Sequence, residues 1–85
     1  MIDPTKLILR TTGDRVALRS QPLISNANLV KRLPFQSELL VIEPIAEAAK
    51  KVGVFNKWIR VRDIDGKEGF VAAWCVVKSP IPAAL

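Results

Sequence analysis

Histidine and tyrosine are missing altogether, and there is a single cysteine, Cys75. Without histidine the chain can build no Ser–His–Asp triad, no imidazole general base and no His-ligated metal centre. One thiol closes no internal disulfide and forms no thiolate zinc cage. The four glycines, Gly13, Gly53, Gly66 and Gly69, fit neither a Walker loop nor a GxGxxG fingerprint. No uninterrupted apolar run approaches the roughly eighteen residues of a membrane span. The first six residues, MIDPTK, contain no apolar stretch of the signal-peptide kind. These absences predict a protein that is not an enzyme, uses no cofactor or metal and inserts into no membrane.

What is present is enough for one small domain. The 85 residues are 49% apolar and 25% charged, with a net charge of +5. That balance favours a folded core over disorder. The core must be thin, because a chain of this size buries only about 60% of the surface that its unfolded form exposes. The lack of disulfides leans toward a reducing compartment but does not exclude an oxidising one.

Turn residues punctuate the chain every eight to twelve positions, the spacing of a small all-β fold. Residues 6–12 (KLILRTT) alternate, placing Leu7 and Leu9 on one face and Lys6, Ile8 and Arg10 on the other, before a turn at Gly13-Asp14. Residues 16–19 form a second short strand. Residues 20–29 (SQPLISNANL) carry no charge and read as a long ordered loop. Residues 29–33 and 38–43 are the next strands, each closed by a proline. Residues 45–53 (IAEAAKKVG) are the one helical passage, with Glu47 four before Lys51 and Gly53 placed to end it. Residues 58–63 and 67–71 alternate on either side of Asp65-Gly66, a strong hairpin signal. Residues 76–78 are a candidate for one further short strand. The reading is five to six short strands closing on themselves over residues 6–78, with a disordered start at 1–5 and a loose tail at 79–85. Closure removes the exposed edges that a thin core tolerates badly.

Three local patterns resemble the bacterial Src homology 3 (SH3b) family. Residues 17–22 (ALRSQP) resemble its N-V-R-S-G-P segment. Residues 30–33, followed by 35–42, resemble V-x-x-L-x-x-G-x-x-V-x-V. Residues 57–71 (KWIRVRDIDGKEGFV), with Ala72-Ala73-Trp74-Cys75-Val76 after them, resemble W-x-K-V-x-x-x-D-G-x-x-G-W-V-x-x-x-Y-L nearly position for position. The resemblance covers residues 7–78 and implies a small SH3-like β-barrel, from which the 44–56 connection, longer than usual and carrying the short helix, is a departure. The chain departs from the pattern at Gln21, at Gln36-Ser37, at Phe70 in place of the second tryptophan, and at Trp74 in place of the late tyrosine.

The strongest block holds Trp58, Phe70 and Trp74, three of only five aromatics. Alternation puts Trp58, Arg60 and Arg62 on one face and Ile59 and Val61 on the core face. The resemblance implies that Trp58 and Trp74 flank a groove between the long first loop and the 44–56 connection. There they would offer apolar area to a peptide or a sugar ring; the other reading is that the rings cap the core. Ser25, Asn26 and Asn28 are candidates for a second wall, or they satisfy their own loop backbone. Arg60 and Arg62 are candidates for an anionic group, or they form a solvated face. Asp63, Asp65 and Glu68 surround the hairpin turn; Asp65-Gly66 reads as turn chemistry and Asp63 and Glu68 as exposed partners of Lys67 or Arg62, not as an acid–base pair. Cys75 reads as a small buried hydrophobe.

Proline-rich ligands are disfavoured, because there is no tyrosine and no acid within residues 20–37. A pI near 9.9 suits anionic polymers, yet the aromatics and basic residues are too few for nucleic-acid binding to be the leading expectation. The resemblance implies a non-catalytic, monomeric targeting module cut from a larger bacterial protein, recognising a cell-wall peptidoglycan peptide or wall polysaccharide at an extracytoplasmic site. The alternative is a module that binds another protein or a neighbouring domain, in the cytoplasm or elsewhere.

Overall fold

The computed structural model describes residues 6–79, so the expectations for residues 1–5 and 80–85 lie outside it. Ser79, placed in the tail by the sequence, is tied down: its N–H donates to the Ile8 carbonyl (2.9 Å) and its hydroxyl accepts from Arg10 Nε (2.9 Å).

Seven strands form: β1 (Ile8–Thr11), β2 (Val16–Arg19), β3 (Leu29–Leu33), β4 (Glu38–Val41), β5 (Trp58–Asp63), β6 (Glu68–Ala72) and β7 (Val76–Lys78). All ladders are antiparallel, in the order β3-β2-β6-β5-β4-β1-β7. The fold is all-β, as the turn spacing predicts. Two details differ. The count exceeds five to six because even the three-residue β7 completes a ladder against β1. The expected closure does not occur: no ladder among the described residues joins β3 to β7, and the sheet keeps two edges.

Alternation explains which residues meet inside. Leu9 of β1, Val16 and Leu18 of β2, Leu33 of β3, Ile59 and Val61 of β5, Val71 of β6 and Val76 of β7 join one core cluster with Leu39, Val41, Ala48 and Ala73. Members come from both edge strands, so the sheet curls around a single core. Thr11 points into the same interior and anchors the β3–β4 connection. Its hydroxyl donates to the Pro34 carbonyl (2.7 Å) and accepts the Ser37 N–H (2.9 Å).

The helical passage is α1 (Ile45–Lys51), entered from Pro44, with Val52 as the C-cap and Gly53 just beyond at φ +81°. A left-handed residue there is the usual way to stop a helix. Lys51 does not pair with Glu47 as the spacing suggests. It reaches back to Glu43 (2.8 Å), whose other carboxylate oxygen accepts the Arg60 N–H (2.6 Å). That carboxylate fastens the end of α1 to the start of β5. A second left-handed glycine, Gly66 at φ +87°, makes the expected Asp-Gly turn between β5 and β6.

Candidate functional site

β2 and β6 share a single rung, Arg19 opposite Phe70. Two residues further along, where Ala17 would face Ala72, the strands have parted and both residues line a groove of about 350 Å³. β6 leaves the ladder there because Ala73–Cys75 wind into one 3-10 turn, which swings Trp74 outward. The groove is lined by Trp58, Trp74, Cys75 and Ala72 on one side, and by Gly13, Asp14, Arg15, Val16, Ala17, Arg19, Ile24 and Arg32 on the other.

The aromatic wall is held by backbone hydrogen bonds. Ala73 N–H donates to the Lys57 carbonyl (3.0 Å) and Gly53 N–H to the Ala73 carbonyl (2.7 Å). Lys51 Nζ donates to the Trp58 carbonyl (3.1 Å). The Trp58 and Trp74 rings meet edge to face, centroids 5.3 Å apart at 77°. Phe55 packs against the far side of this pair, 5.1 Å from Trp74, and is 70% exposed. Such contacts add about 0.5–1.5 kcal/mol beyond area burial. Phe55 escapes the sequence reading because it lies in the connection, outside the alternating block.

The opposite wall is cationic. Arg19 Nη1 donates to the Ser25 carbonyl (2.7 Å) and to Asn28 Oδ1 (3.1 Å), and Arg32 Nη1 donates to the Arg15 carbonyl (3.2 Å). These acceptors are neutral, and neither guanidinium forms an ion pair with a carboxylate among the described residues. Arg15 itself sits in the left-handed region, at φ +60°, in the β1–β2 turn. The one signal for this wall is the acid-free run at residues 20–37, which leaves neighbouring arginines with nothing to pair.

Trp58 and Trp74 thus lie together along one groove, but no residue of the 44–56 connection lines it; β2 and the β1–β2 turn stand opposite the rings instead. The other candidates lie elsewhere. Phe70 is half-buried at the β2–β6 rung and lines no part of the groove. Arg60 and Arg62 do share the exposed face of β5, but both turn to Glu68, at 3.7 and 2.7 Å. Ser25 caps the 3-10 turn Asn26–Asn28 by accepting the Ala27 N–H (3.2 Å). Asn28 is buried, donating to the Leu23 carbonyl (2.9 Å), while Asn26 is exposed on the same turn. The polar loop residues therefore organise the loop, and Ile24 is what it lends to the groove.

Asp63 requires a correction. It is not an exposed partner of the turn: β5 alternation carries it to the inner face, where it is 3% exposed. Burial by itself raises its pKa. The hydrogen bond from Lys31 Nζ, with the Lys67 and Asp65 N–H groups (2.8 and 3.0 Å), outweighs burial and holds the carboxyl below its ordinary value. Lys31 is raised in turn, first by Asp63 and then by Asp65 (3.1 Å). Cys75 is half-buried, and burial pushes its thiol up. No group of three or more Cys, Asp or Glu side chains among the described residues is placed to hold a metal ion. No described helix is long and apolar enough to cross a membrane.

Fold and site together define an all-β domain with one aromatic and one guanidinium wall facing across a surface groove. No family model matches the chain, and neither curated proteins nor solved structures yield a match.

Proposed function

We propose that this chain is a non-catalytic binding module of the bacterial SH3-like type, recognising a cell-wall peptidoglycan peptide or wall polysaccharide. The observation that carries the reading is the groove itself. It opens where β6 departs from β2, and Trp58 and Trp74 present half-buried rings along one side. Rigid aromatic surface of this kind binds extended ligands at small entropic cost. The resemblance of residues 57–76 to the bacterial Src homology 3 pattern supplies the ligand class, and an extracytoplasmic, wall-associated setting goes with it.

The test is retention on purified peptidoglycan sacculi at low salt and at ~0.5 M salt, where unburied charge attraction is screened. Retention at both, lost in Trp58→Ala with the fold intact, supports the module. Release by salt reduces the interaction to net charge. Absence of retention at either salt favours a second reading, a module that binds a protein or neighbouring domain. The exposed Phe55 and Ile24 beside the groove, 70% and 72% accessible, support that alternative.

A further inference from the structure

The six arginines fall into two sets. Arg10, Arg60 and Arg62 each hold a glutamate. Arg15, Arg19 and Arg32 hold no carboxylate among the described residues, and all three line the groove. Arg19 is aimed by two neutral acceptors that engage only its Nη1, and Arg32 likewise spends only Nη1 on a carbonyl. A guanidinium has five N–H donors in a planar fork, so both keep donors for a ligand. Forks of this kind match a carboxylate with two parallel bonds.

We propose that the groove takes an extended peptide segment carrying a carboxylate beside an apolar side chain. Arg15, Arg19 and Arg32 receive the carboxylate, and the apolar side chain lies against Trp58, Trp74 and Ile24. This deepens the binding-module reading and rests on it. A volume of about 350 Å³ suits a few residues rather than a long polymer. A phosphodiester chain fits the surface less well. It would bring further charges past the groove onto the uncharged 20–29 loop, where no described cation meets them.

The experiment is a heteronuclear NMR titration with two blocked peptides, acetyl-Ala-Glu-Leu-Ala-amide and its glutamine isostere acetyl-Ala-Gln-Leu-Ala-amide. The glutamate peptide is expected to shift the Trp58 and Trp74 indole signals and to bind at least ~10-fold more tightly than the glutamine peptide, with the advantage falling to within ~2-fold in the double variant Arg15→Gln/Arg32→Gln. Arg19 is left intact because it also anchors Asn28. Equal affinity for both peptides, or no indole shift up to about 10 mM peptide, overturns the proposal. Tighter binding of an octathymidylate than of the glutamate peptide also overturns it and assigns the charge to phosphate.

The failures separate. Sacculus retention that depends on Trp58 but survives the double arginine variant keeps the wall-binding module and removes the carboxylate. Glutamate-selective binding without sacculus retention does the reverse.

Discussion

Gly69 passes so close to β2 that a β-carbon built on it would stand 2.5 Å from the Arg19 carbonyl oxygen. Two atoms of the Leu18 side chain lie at 3.2 Å from the same point. The close approach sits one residue before the single β2–β6 rung. It is what allows β6 to lie tight against β2 before the two strands part to form the groove.

Gly69→Ala should therefore cost stability by overpacking, about 1–3 kcal/mol. Backbone, not a flexible side chain, is what has to move. Denaturant unfolding measures it; a wild-type midpoint would mean that the β2–β6 contact is looser than described.

The Lys31–Asp63 pair predicts two pH limbs. Asp63 titrates below its ordinary 3.8, so its contribution is present above that value and is lost as pH falls through the folded pKa. Lys31 titrates above 10.5, so its contribution is present below that value and is lost as pH rises through the folded pKa. Asp63→Asn keeps the shape but not the charge. It should be less stable at neutrality and close the gap in acid, as followed by unfolding at each pH. A gap that stays constant down to about pH 2 would contradict the assignment.

Ile59 and Ile64 test the alternation of β5 and its end. Ile59 is fully buried and Ile64 is 63% exposed in the turn. Ile59→Ala should cost about 2–4 kcal/mol, and Ile64→Ala no more than about 0.5 kcal/mol. Similar melting of both variants would place β5 in the opposite phase.

Cys75 is half-buried with its thiol pushed up, so little thiolate is present near neutrality. An aromatic disulfide reagent should modify it slowly in the folded domain and much faster in denaturant. Equal rates would show that the groove leaves the sulfur open.

Local chemistry made much of the fold legible. Asp65-Gly66 marked its hairpin because the turn needs a left-handed residue that only glycine adopts at no cost. The alternation at Trp58, Ile59, Arg60 and Val61 told inside from outside. The same alternation, carried two residues further, already placed Asp63 inward; its position beside a polar turn hid this. The seventh strand was legible as a segment, but whether the sheet closed depended on edge strands far apart in sequence. In the site, Trp58 and Trp74 stood out as rare residues in one block. The guanidinium wall did not, because Arg15, Arg19 and Arg32 meet only after β2 and β3 pair and β6 turns away.

The single rung between β2 and β6 also bears on how the domain breathes. β2, the 20–28 loop and β3 form a ribbon with that one backbone rung to the remaining ladders, its other ties being Val16, Leu18 and Leu33 in the core and the Lys31–Asp63 ion pair. A ligand spanning the groove would touch Arg15, Arg19 and Arg32 on the ribbon and Trp58 and Trp74 on the body, acting as a second fastening between them. Amide hydrogen exchange in β2 and β3 would then slow on binding far more than exchange in β1, β4 and β5, which are already laddered together. An occupant of the groove would thus clasp the β2–β3 ribbon to the body of the domain.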